Sequence, residues 1–89
     1  MEFTVLEENK TKLVFQLKGE THTFCNALKQ ELMQVKGVAI ATYRIDHPLV
    51  GMPQFHLETK GAEPRKVLKE ALSNLKKKAE QFKKEVGKL

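Results

Sequence analysis

The stretch EPRKVLKEALSNLKKKAEQFKKEVGKL, residues 63 to 89, carries apolar side chains at Leu68, Leu72, Leu75, Ala79, Phe82, Val86 and Leu89, spaced alternately four and three apart. Such a heptad seam forms one line along a helix, and Val67 and Ala71 widen its start. Pro64 suits the first turn, where a missing N–H costs nothing. A helix over about 64–89 spans about 39 Å at about 1.5 Å per residue, whereas a strand of about seven residues covers about 23 Å. The seam is therefore expected to outrun any sheet this chain can build, leaving Phe82 and Val86 without a cover of their own. An uncovered apolar seam finds a partner or aggregates, so the spacing points to a helix-mediated oligomer.

Upstream of that helix the apolar period changes. Phe3 and Val5, then Leu13, Phe15 and Leu17, alternate with polar residues on either side of EENK, which predicts a hairpin with one buried face. From about Thr21 the spacing shifts to Phe24, Leu28, Leu32 and Val35, one helical stripe, with Thr21 or Thr23 available as a cap. Gly37 fits the left-handed position after a helix end. Both alternating sets between Val38 and Ile45 are apolar or small, which predicts a central strand. Phe55, Leu57 and Thr59 alternate with His56, Glu58 and Lys60, as in a half-exposed strand ended by Gly61 and Pro64. The expected fold is α+β: one domain over 1–89, two layers in the order β-β-α-β-β-α, with a four-stranded antiparallel sheet and both helices on one face.

The net charge of +5 is confined to one region. Residues 1 to 60 hold seven basic and seven acidic residues, whereas residues 61 to 89 hold nine basic and four acidic ones. Lys76, Lys77, Lys78, Lys83 and Lys84 lie off the seam, where they solvate the helix or meet phosphate. No segment is apolar and long enough to span a bilayer, and the N-terminus lacks a basic and an apolar signal region. The chain is expected to stay in the cytoplasm. Cys25, the lone cysteine, fits a reducing compartment and excludes an intrachain disulfide or a CxxC motif.

Residues that could carry chemistry are few. His22 and Cys25 lie three apart at a helix start, but no second pair completes a metal site with them, and Cys25 reads as a small packing residue. There is no Gly-rich phosphate loop, no GxSxG, and no carboxylate pair placed for acid and base roles. His47 sits in DHPLVGMP, residues 46 to 53, where two prolines and a glycine stiffen the connection between strands three and four. A rigid, partly apolar loop suits docking better than catalysis. The expected docking loop is His47, Pro48, Leu49 and Pro53.

HTFCN (22–26), TYRIDHPL (42–49), and MPQFHLET (52–59) followed by EPRKVLKEAL (63–72) together resemble subunit L of archaeal DNA-directed RNA polymerase. That family of short alpha-like assembly subunits is shared with the eukaryotic nuclear polymerases. The resemblance covers nearly the whole chain, with Phe24 and Cys25 standing where the family more often has Leu and Gly. It implies a fold like the dimerisation domain of the bacterial alpha subunit, and a heterodimer with the larger alpha-like RNA polymerase subunit, known as D in archaea. With small subunits N and P, that heterodimer would form the platform for the two large catalytic subunits. It further implies no catalytic residue, cofactor or metal in this chain, and contact with DNA only through the complex. Joined to the overhanging seam, it sets the expected partner interface at Phe24, Leu28, Leu32, Leu68, Leu72, Leu75, Ala79, Phe82 and Val86. Two other classes compete: a small basic nucleic-acid-binding protein, which would expose aromatic rings among basic residues on a sheet face, and a homodimeric scaffold.

Overall fold

The structure, a computed structural model, describes residues 2–19, 21–45 and 52–88. Its elements are β1 (Glu2–Glu8), β2 (Lys12–Lys18), α1 (His22–Gln34), β3 (Val38–Arg44), β4 (Gln54–Thr59) and α2 (Pro64–Gly87). The strands form one antiparallel sheet in the order β1-β2-β4-β3. Residues from one face of the sheet and from both helices share a single core: Leu13, Phe15, Leu17, Ala41, Phe55 and Leu57 meet Cys25, Leu28, Leu32, Val67, Leu68 and Ala71. Each large apolar side chain buried there contributes about 1.5 to 3 kcal/mol relative to exposure. The opposite face, with Gln16, Gln54, His56 and Glu58, is only partly buried.

The centre of the sheet is β2 with β4, so the expectation of a central third strand is corrected: β3 is an edge. Only Ala41 of β3 is buried, beneath α1, which packs against this strand. With one face of the sheet covered, no strand needs two apolar sides. The small residues of β3 instead let a helix approach closely. A second correction concerns Phe3, expected in the core but 43 % exposed. Among the helix–strand pairings α1 lies mainly on β3 and α2 on β2 and β4, so β1 is an edge on which neither helix is chiefly packed. Phe3 still stacks on Phe15, with ring centroids 4.8 Å apart. The row continues to Phe55 at 5.1 Å and on to Tyr43 at 5.2 Å.

Local signals close the elements. The Asn9 side chain accepts a bond from the Thr11 amide at 2.9 Å, and the Asn9 amide donates to the Lys12 carbonyl at 2.9 Å, tightening the hairpin. Thr21 caps α1, its hydroxyl accepting from the Phe24 amide at 3.2 Å. Gly37 has φ +97° and accepts from the Lys60 amide at 2.7 Å, while a Cβ there would stand 2.8 Å from that of Ala62. The Thr59 hydroxyl donates to the Ala62 carbonyl at 2.6 Å, so the β4–α2 connection and the end of α1 are locked together. Arg65 at the start of α2 then grips Glu8 at the end of β1 with two hydrogen bonds.

Both locks can be probed by substitution. Gly37→Ala incurs the left-handed backbone cost of about 1 to 2 kcal/mol and the clash with Ala62, whereas Gly61→Ala, at φ +76° with open space around it, incurs only the first. The Gly37 variant therefore melts lower than the Gly61 variant in thermal unfolding. The Arg65 hydrogen bonds hold the Glu8 carboxyl below its ordinary value of 4.5. A carboxylate whose pKa is depressed by folding stabilises the fold above its unfolded value and loses that contribution as pH falls through the folded one. Arg65→Gln is therefore less stable than the unaltered chain at neutral pH. In urea melts over a pH series the two converge as the pH drops below 4.5.

Candidate partner interface

α1 and α2 lie side by side on the covered face of the sheet. α2 begins as a core helix, with Pro64, Val67, Leu68 and Ala71 buried. Leu72 and Leu75 are half-buried, and every described residue from Lys76 to Lys88 is exposed. Phe82 is 68 % and Val86 49 % exposed. Between the two helices runs an apolar groove lined by Phe24, Ala27, Leu72, Leu75, Ala79 and Phe82, with Lys76 and Lys78 at its rim.

The residues expected at a partner interface thus fall into two groups. Leu28, Leu32 and Leu68 are buried in this chain's own core, Leu68 with 6 % of its surface left. Phe24, Leu72, Leu75, Ala79 and Phe82 meet in the groove, and Val86 continues their line along the overhang. Of the expected docking loop, His47, Pro48 and Leu49 lie outside the described residues. Pro53 is almost wholly buried just before β4, and its carbonyl accepts from the Leu17 amide of β2 at 3.0 Å.

Two features of the groove are absent from the sequence reading. Ala27, three residues after Phe24, supplies the low wall that opens it. Glu31, four residues further on the same helical line, is only 5 % exposed and forms an ion pair with Lys78. Lys78, grouped by its sequence position with the solvating lysines, instead spans from α2 to α1. The available signal is the placement of Glu31 beside Leu28 and Leu32 on an apolar stripe, where a carboxylate needs a cation.

The candidates for chemistry are otherwise engaged. Cys25 is fully buried in the core, as a packing residue should be. His22 shares a 2.5 Å hydrogen bond between its Nδ1 and the Tyr43 hydroxyl, and their rings meet edge to face. Partial burial, and secondarily the nearby Cys25, raise the Tyr43 phenol above its ordinary value. Among the described residues no three His, Cys, Asp or Glu side chains lie together as metal ligands would.

Residues 12–85 match the family model for the RNA polymerase Rpb3/Rpb11 dimerisation domain. The chain belongs to this family. Its relatives include the DNA-directed RNA polymerase subunit Rpo11 of Methanothermobacter thermautotrophicus, 40 % identical over 82 residues that cover 92 % of each chain. The Rpo11 of Nanoarchaeum equitans is 42 % identical over 83 residues, 92 % of this chain and 86 % of that one. The crystal structure of DNA-directed RNA polymerase subunit L from Thermoplasma acidophilum has the same fold. Its TM-score is 0.86 at 24 % identity, over 98 % of this chain and 86 % of that one. The resemblance carried by HTFCN, TYRIDHPL and MPQFHLET, and the two-layer α+β fold it implied, are borne out.

The Glu31–Lys78 pair is asymmetric, because the lysine is 62 % exposed and the carboxylate nearly enclosed. Removing one member of a buried pair costs most when the other stays buried. Lys78→Met is therefore expected to destabilise the chain by about 1 to 2 kcal/mol. Glu31→Leu, which frees a lysine able to reach water, costs little. Chemical denaturation of the two variants at neutral pH checks the order.

Proposed function

We propose that the chain is a non-catalytic assembly subunit of a DNA-directed RNA polymerase. It pairs through the α1–α2 groove and the end of α2 with the larger alpha-like subunit, the one known as D in archaea. With small subunits N and P, that heterodimer forms the platform on which the two catalytic subunits assemble. The observation that carries this reading is Phe82: a large ring, mostly exposed, on a helix that has run past its own sheet, in a chain whose family model describes a dimerisation domain. The names of these relatives, both DNA-directed RNA polymerase subunits, support the same complex. A nucleic-acid-binding reading fits the aromatics poorly. Phe15 and Phe55 are fully buried under the helices and offer no stacking platform.

Phe82→Asp places a charge where the partner is to exclude water, and is expected to cost more than about 2 kcal/mol of binding. The free chain loses little stability, because that ring touches mainly solvent. Leu68→Asp does the reverse and unfolds the chain, since Leu68 sits over the sheet in the core. Thermal melting of each free chain and co-purification with the larger alpha-like subunit separate the two effects. Undiminished pairing by the Phe82 variant would place the interface elsewhere.

A further inference from the structure

Along the seam of α2 the flanking charge is one-sided. Lys69, Lys76 and Lys83 recur every seven residues, each directly after a seam residue: Leu68, Leu75 and Phe82. Seven residues make nearly two helical turns, so the three ammonium groups form a row with a step of about 10.5 Å. All three are exposed, and Lys76 lines the groove itself. Among the described residues none of the three lies within ion-pair distance of a carboxylate, unlike Lys78, which is held by Glu31. The equivalent positions on the other flank are Ala71, Lys78 and Glu85.

Residues that border a helical seam decide which helix can lie on it and in which direction. If two copies of this chain met along their seams with the helices antiparallel, the lysine row would face itself. In a parallel pairing it would face Ala71 and Lys78. Neither arrangement opposes the row with a line of carboxylates, and like charges at close range oppose association. We infer that the lysine row selects the occupant of the groove: it disfavours a second copy of this chain and fits a protein helix carrying carboxylates at seven-residue intervals beside its own apolar seam. The inference rests on the pairing proposed above and adds the chemistry of the partner's flank. The row could also meet the phosphates of a duplex, but a duplex has no apolar face to cover Phe82 and Val86.

The test uses copies of this chain only, so it stands or falls apart from co-purification with the larger subunit. A K69E/K76E/K83E variant keeps the apolar seam and supplies the acidic row. Sedimentation equilibrium compares the unaltered chain, the variant, and their equimolar mixture at low and high salt. The mixture is expected to associate about tenfold more tightly than the unaltered chain alone at low salt, with the advantage shrinking near 0.5 M, where screening lengths fall to about 4 Å. A K69Q/K76Q/K83Q variant, whose row is neutral, should self-associate more tightly than the unaltered chain at low salt. Equal association in all of these samples, each confirmed folded by circular dichroism, would reduce the lysines to solubilising groups and overturn the inference. So would loss of duplex DNA binding in the glutamate variant with protein pairing unchanged.

Discussion

A row of four aromatic rings, one from each strand, sets the geometry on which everything else in this chain depends. Phe3, Phe15, Phe55 and Tyr43 stack in sequence across the sheet, the middle pair with their planes 1° from parallel. Each stacked pair adds about 0.5 to 1.5 kcal/mol beyond the area it buries. Side chains alternate along a strand, so a slip of one residue in any pairing would turn its ring to the other face and break the row. Tyr43 then passes the constraint to the helical layer through its hydrogen bond to His22, the first residue of α1. The register of the sheet and the start of α1 are thereby fixed together. The position of α1 in turn sets one wall of the groove, because Phe24 and Ala27 lie within its first two turns.

The second constraint is a mismatch of lengths. α2 has 24 residues, about 36 Å of helix, over strands of six or seven residues that cover about 20 to 23 Å. The apolar seam crosses this boundary without changing its spacing. Its early part, with Leu68, is used in folding, and its late part, with Phe82 and Val86, is left over. Leu72 and Leu75 stand at the junction and belong to both, half covered by the chain and half bare. In the proposed pairing, a change at the junction would therefore be felt by stability and by association at once, whereas changes at either end would separate them.

How much of this is legible in the sequence follows from which quantity each pattern measures. Periodicity reports which face of an element is apolar, so the order of elements, the helix stripes and the overhang can be read from Leu28, Leu32, Leu68 and Phe82. It does not report which strand is adjacent to which. The small residues of β3 form a pattern that a central strand and an edge strand under a close helix share, and only the pairing of β4 with β2 and β3 separates them. Single charged residues are legible even less. Lys78 and its neighbours Lys76 and Lys77 are alike in the sequence, and only the helix crossing that brings Glu31 near makes Lys78 different. At Pro53 the proline signature reports a stiff backbone but not burial: the residue is almost wholly buried, with its carbonyl bonded to the Leu17 amide of β2.

The overhang must also hold its shape before anything covers it, or ordering it on binding would consume part of the affinity. Tertiary contact can do little of this for residues 76–88, which are all exposed and are tied to α1 near their start by the Lys78–Glu31 pair. Local sequence can. The segment is built largely of Lys, Glu, Gln and Ala, residues of high helix propensity. Glu80 precedes Lys84 by four residues, the favourable order along a helix axis. Lys84 lies in the last turn, where a cation meets the negative end of the helix dipole. The folded start of α2 serves as a nucleus from which each further residue needs only propagation, so the costly first turn is already made. The abundance of lysine in this third of the chain thus has a second physical role: it keeps an uncovered apolar seam both soluble and helical, so that Phe82 and Val86 are held on one line beside the groove.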